Sequence, residues 1–146
     1  AGLGAARAVT SHYSVMVKGM SHLFAAGPVV VNRMGGEQVD KRTWVEAGPT
    51  RNGAIDDEVS SEEEAFERTR RFLSYLPSSV YELAERGPCT DDPSRTDAGL
   101  GDVVPRDRRQ VYKMRSIIDS VVDEGSFFEI GRAFGRSAIC GLARLD

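Results

Sequence analysis

At 146 residues the chain is long enough for one ordinary domain, and 40% hydrophobic with 28% charged residues is the balance of a soluble globular protein. Nineteen Lys and Arg stand against 22 Asp and Glu, and the formal charge of -3 creates no field that would favour nucleic acid. No apolar run approaches the roughly 20 residues of a membrane span, no export signal is visible, and two isolated cysteines, Cys89 and Cys140, form neither a metal spacing nor a disulfide framework, so a reducing cytosol is the default compartment.

Ala1-Gly2-Leu3-Gly4-Ala5-Ala6 at one end and Ile139-Cys140-Gly141-Leu142-Ala143 at the other read as interior sequence, where polar termini are usual. The chain is therefore expected to be a slice of a larger enzyme. His12-Tyr13-Ser14-Val15-Met16-Val17 predicts a strand, broken by Lys18-Gly19. Ser21–Ala26 is a short apolar run. Gly27-Pro28 then introduces residues 28–34, read as a short helix with Pro at its first position, although Val29, Val30 and Val31 keep a strand reading open.

Residues 35–60 read as loop, with turns marked by Gly35-Gly36, Gly48-Pro49 and Asn52-Gly53. Ser61 predicts a helix N-cap, with Glu64 completing a capping box and Glu62–Glu64 favourably placed at the positive end of the helix. Ala65, Phe66, Thr69, Phe72, Leu73 and Leu76 supply an apolar stripe, and Pro77 stops it. From Pro77 to Arg109 little is available to bury, and this stretch reads as a linker or long surface crossing. Val111, Met114, Ile117, Ile118, Val121 and Val122 then predict a second amphipathic helix, ended by Asp123-Glu124-Gly125. Ser126–Ile130 reads as a short aromatic strand and Ser137–Ala143 as a buried one.

Little of this carries chemistry on its face. His12 and His22 stand ten residues apart with no cysteine pair, and read as structural or surface residues. Asp56-Asp57-Glu58 and Glu62-Glu63-Glu64 are explained by a solvated turn and a helix start before a metal need be invoked. Arg106, Arg108 and Arg109 could meet phosphates or an acidic partner, but a solvated helix entrance accounts for them. Gly2-Leu3-Gly4 lacks a phosphate-loop fingerprint; closely spaced glycines can present backbone N–H groups to a developing oxyanion, or simply make a tight turn.

An ordered series of segments nonetheless resembles one family. Gly2-Leu3-Gly4-Ala5-Ala6, Ser11–Gly19, Leu23–Pro28, Thr50–Asp56, Arg71–Pro77, Tyr112–Arg115, Ile117–Asp123, Phe127–Ile130 and Cys140–Arg144 are similar, in that order, to the carboxyltransferase (beta) subunit of biotin-dependent acyl-CoA carboxylases of the propionyl-CoA and acetyl-CoA type. The resemblance implies a partial crotonase-like α/β fold. Residues 1–76 would be the end of the N-terminal carboxyltransferase domain, 77–109 the interdomain linker and 110–146 the start of the C-terminal domain.

It further implies transfer of CO2 from carboxybiotin to the α carbon of a short-chain acyl-CoA, with the released biotin nitrogen taking the α proton, so that no protein base is required. Gly2, Leu3 and Gly4 are the implied catalytic residues, through N–H groups that stabilise the enolate. A second oxyanion hole, for the biotin ureido oxygen, is implied by a glycine pair beyond Asp146. The cofactor would be biotin on a carrier protein. The expected partners are acyl-CoA, a biotin carboxyl carrier or biotin carboxylase component, and further copies or flanking carboxyltransferase sequence, all in the cytoplasm.

The sequence departs from the family at Arg42–Pro49, where Glu-Leu-Gly-Gly and a later His are usual and Pro49 stands in place of the His. That departure keeps open a non-catalytic assembly or interaction module. A biotin-dependent decarboxylase, using the same enolate stabilisation in the opposite direction, is a further alternative.

Overall fold

The computed structural model describes residues 2–34 and 48–145. Its elements in chain order are α1 (Leu3–Val9), β1 (Val15–Val17), α2 (Pro28–Arg33), α3 (Gly48–Arg51), β2 (Asp57–Val59), α4 (Glu62–Leu73), a 3-10 turn (Ala98–Gly101), α5 (Met114–Val121), β3 (Phe128–Ile130) and β4 (Cys140–Leu142). They are distributed over two compact units. One takes in the chain up to Phe72 together with Ile130–Ala138; the other takes in Leu73–Glu129 together with the residues from Ile139 onward.

The first unit is organised by a parallel strand pair, with Val15 opposite Asp57, Met16 opposite Glu58 and Val17 opposite Val59. Reading 35–60 as loop missed β2 and α3. Asp57-Glu58-Val59 has one residue to bury, Val59, and is held as a strand by its partner rather than by its own composition. Ser14 secures the start of the pair: its N–H and hydroxyl reach the Asp56 carboxylate at 2.8 Å each, and its carbonyl accepts the Asp57 N–H at 3.1 Å. Ala5, Met16, Val17, Ile55, Val59 and Phe72 form the apolar core, with Thr50 buried beside them.

Helix α4 follows its capping signal. Ser61 Oγ accepts the Glu64 N–H at 3.2 Å, while the Glu64 carboxylate reaches back to the N–H of Ser60, one residue earlier than a reciprocal box requires. The stripe is narrower than its periodicity: Phe72 is buried, whereas Phe66 and Leu73 are exposed. The helix ends at Leu73, ahead of Pro77.

In the second unit, β3 pairs with β4 around Phe128, which is fully buried. A Cβ on Gly141 would collide with the Phe128 carbonyl and the Phe127 ring, so glycine permits this close approach. The strand expected over 137–143 is confined to 140–142. It is not buried as expected, since Cys140 and Gly141 face outward and only Leu142 is half-covered. Helix α5 spans eight residues and buries none fully; Met114 and Val121 are exposed, and Val111, in the predicted stripe, precedes the helix.

Candidate functional site

Gly2 adopts φ 65° and ψ -132°, backbone that a side chain would strain, and this bend launches α1. Its N–H is spoken for, donating to the carbonyls of Phe24 at 3.2 Å and Ala25 at 3.1 Å. Its carbonyl accepts the N–H groups of Ala5 and Ala6 at 2.9 and 3.1 Å. The next two N–H groups, of Leu3 and Gly4, belong to the first helical turn, where the helix supplies no acceptor. Both residues are exposed, and a Cβ built on Gly4 meets nothing within 4 Å.

The three residues singled out from the sequence thus divide their tasks. Gly2 shapes the bend and ties it to the 24–25 segment, while Leu3 and Gly4, both exposed, carry the next two N–H groups of the chain. The arrangement can accept an oxygen that gains negative charge, since the donors and the aligned peptide dipoles of the first turn favour an anion.

The strand pair of the same unit is braced by a network that sequence reasoning missed. Arg68, on α4, forms an ion pair with Asp57 on β2, and the Tyr13 hydroxyl donates to the same Asp57 oxygen at 3.1 Å. The Tyr13 ring stacks on Phe72 with centroids 4.8 Å apart. Burial, and then the Asp57 carboxylate, push the Tyr13 hydroxyl up to about 12. Asp56 and Asp57 therefore serve as structural acceptors rather than as a merely solvated turn. The available signal was an Arg on the polar side of α4 following an acidic pair by about a dozen residues, too common a pattern to single out.

Asn52-Gly53 is the turn expected of it: Asn52 Oδ1 accepts the Ala54 N–H at 3.0 Å and Gly53 has φ 81°. The Phe134 ring lies 3.0 Å from where a Gly53 Cβ would stand, and the Gly131 N–H donates to the Asp56 carbonyl at 3.1 Å, which docks the 131–134 turn on the same unit. The Gly27-Pro28 helix start is present as α2. The departing segment Arg42–Pro49 lies for the most part outside the described residues.

The histidines are not brought into a site. Both are exposed, and His22 Nδ1 lies 2.9 Å from the Met20 carbonyl. Among the described residues no group of three or more His, Cys, Asp or Glu could hold a metal, and no helix is long and apolar enough to cross a membrane. Arg106, Arg108 and Arg109 are exposed on turns ahead of α5, with Asp107 Oδ1 accepting the Arg109 N–H at 3.0 Å.

The sequence profile of the carboxyl transferase domain family matches residues 1–146. Over 136 residues the chain is 33% identical to the carboxyltransferase subunit of propionyl-CoA carboxylase from Haloferax mediterranei, covering 92% of this chain and 26% of that protein. It is likewise 33% identical over 136 residues to the mitochondrial propionyl-CoA carboxylase beta chain of Homo sapiens, covering 92% of this chain and 25% of the human protein. A transcarboxylase 12S crystal structure, described as a hexamer assembly with methylmalonyl-CoA and methylmalonic acid bound, superposes with a TM-score of 0.91 at 25% identity over 99% of this chain and 28% of the other. The chain thus spans about a quarter of the length of the relatives it matches. With the family profile matching throughout and the backbone following the solved structure over nearly its whole length, the chain has a partial crotonase-like fold and belongs to the carboxyl transferase family of biotin-dependent acyl-CoA carboxylases and transcarboxylases.

Proposed function

We propose that this chain contributes the enolate-stabilising part of a carboxyltransferase that carboxylates the α carbon of a short-chain acyl-CoA, its residues 1–76 ending an N-terminal domain, 77–109 linking and 110–146 beginning a C-terminal one. The observation that carries this reading is the pair of N–H groups at Leu3 and Gly4, exposed on the first turn of α1 behind a bend that only Gly2 accommodates comfortably. The Cβ position of Gly4 is open and carries no side chain, so nothing there crowds this turn.

Carboxybiotin on a carrier protein would supply CO2 by cleavage of its N–carboxyl bond, and the ureido nitrogen so freed would be the base available to the α proton. The chain's own residues act on the other reactant. The Leu3 and Gly4 N–H groups hold the thioester oxygen and bond it more strongly as it takes on enolate charge, which lowers the barrier to forming the new carbon–carbon bond. Gly2 is a positioning residue: its N–H bonds to Phe24 and Ala25 fix the angle at which α1 presents the next two donors. The Tyr13–Asp57–Arg68 network braces the strand pair of the same unit. None of the described residues is assigned to the biotin side, which would be met by other sequence or another copy. A biotin carboxyl carrier, homo-oligomeric assembly and a cytoplasmic location complete the reading.

The test uses the intact protein with a carboxybiotinylated carrier and a panel of acetyl-, propionyl- and butyryl-CoA, following isotopic carboxyl into the acyl-CoA product. Transfer to one or more of these esters is expected. A folded protein that binds the carrier and transfers to none would favour the non-catalytic assembly reading, and carboxyl loss from a dicarboxylic acyl-CoA without the reverse would favour a decarboxylase.

A further inference from the structure

Residues 88–97, within the stretch read as a linker or long surface crossing, are hydrogen-bonded to the end of α5. Arg95 Nη2 donates to the Val122 carbonyl at 3.0 Å and to the Ser120 carbonyl at 3.3 Å, two of the acceptors that α5 leaves unpaired at its C-terminal end. A cation is favoured at that end by the helix dipole. The same nitrogen pairs with Asp91 at 3.3 Å, and the Asp91 carboxylate accepts the Glu124 N–H at 2.9 Å just beyond the helix. Asp97 closes the far side, accepting the Ser120 hydroxyl at 2.6 Å and the Gly99 N–H at 2.8 Å.

What the segment lacks is apolar anchorage. Residues 92–97 are all exposed, and a hollow of about 300 Å³, lined by Cys89, Asp91, Pro93, Arg95, Ser120 and Val121 among others, lies against the helix end. Space of that size, bordered by carboxylates and a hydroxyl, holds several waters at roughly 30 Å³ each. Docking thus depends on a few exposed polar ties, each individually weak and screened by salt. Segments with solvent-exposed hydrogen bonds and few buried apolar contacts open at a small fraction of the global unfolding free energy.

We propose that residues 88–97 are a detachable strap, clipped to the C-terminal end of α5 chiefly by Arg95 and lifting as a unit without unfolding the rest of the chain. Released, its ten residues supply slack of roughly 33 Å at full extension. It is a device for paying out and taking up chain length, and it depends on no catalytic role for any residue in it.

Cys89, half-covered beside the hollow, reports on the strap, and the exposed Cys140 on β4 is an internal control. Alkylation of each thiol in the intact protein is followed by peptide mass spectrometry at low and molar salt. In the native protein Cys89 is expected to react more slowly than Cys140. Arg95→Ala should accelerate Cys89 by about tenfold, the effect of losing one ion pair and two carbonyl bonds, and leave Cys140 unchanged. Molar salt should act in the same direction. Ser120→Ala, which removes the hydroxyl bonded to Asp97 and to the Ser116 carbonyl, should accelerate Cys89 by a smaller factor and serves should Arg95→Ala not fold. Unchanged Cys89 labelling in these variants would overturn the proposal, as would acceleration of both thiols together, which would mean that the strap lifts only when the whole unit opens.

Discussion

Leu3→Pro separates a backbone donor from everything else at its position. Leu3 is the first residue of α1, where proline's fixed φ suits the helix and its missing N–H breaks no helical bond. Gly2 precedes it and has no Cβ for the proline ring to strike. The Leu3 side chain is 73% exposed, so truncating it to a ring forfeits only about 0.5 kcal/mol of burial. Restricting the unfolded chain returns about 0.4–1 kcal/mol, and net stability should change little.

The catalytic consequence is of another size. If the Leu3 N–H holds the enolate oxygen, its deletion removes about 3 kcal/mol from the transition state, roughly a hundredfold in turnover. Affinity for the acyl-CoA should fall much less, because the bond strengthens only as charge develops. Denaturant unfolding, steady-state carboxylation and direct CoA-ester binding would be measured on the same preparation of the intact protein. Normal turnover in a normally folded variant would refute the assignment. An equal collapse of binding and turnover would move Leu3 to substrate docking.

The remaining outcomes concern the scaffold. Gly2→Ala should cost about 1–3 kcal/mol in denaturant unfolding, because φ 65° with ψ -132° strains any side chain; an unchanged midpoint would mean that the bend relaxes. Gly4→Val, by contrast, should leave stability nearly unchanged, since the position is helical with open space beyond it, yet slow turnover as the side chain intrudes on the donors. Gly53→Ala combines φ 81° with a Phe134 ring 3.0 Å from the new Cβ, and should destabilise by about 1–2 kcal/mol while raising hydrogen exchange at 131–134. Tyr13 is raised from 10.0 to about 12 in the folded chain, so the native state retains its proton longer than the unfolded one. The contribution is complete below pH 10 and is lost as pH rises toward 12, a fall in stability that Tyr13→Phe should abolish.

Local signals in the sequence identified the elements whose causes are local. Ser61 and the three glutamates after it predict α4 because capping and dipole effects act within one turn, and Gly27-Pro28 predicts α2 by the same logic. β2 was hidden because Asp57 and Glu58 are poor strand formers that owe their conformation to Ser14 and Val15, more than forty residues earlier. Periodicity placed α5 but overstated its burial, since amphipathicity belongs to one helix while burial requires a facing surface. The site was legible only through the ordered family segments. Gly2-Leu3-Gly4 by itself does not reveal that the Gly2 N–H is consumed by Phe24 and Ala25, leaving two donors of the three.

Everything proposed for this chain turns on the Leu3 and Gly4 N–H groups receiving the enolate oxygen. The most direct measurement is a crystal structure of the intact protein bound to a nitronate analogue of propionyl-CoA, whose negatively charged oxygens imitate the enolate. An analogue oxygen is expected about 2.7–3.1 Å from both nitrogens. An analogue that binds with those two N–H groups facing solvent, its oxygen held elsewhere, would contradict it.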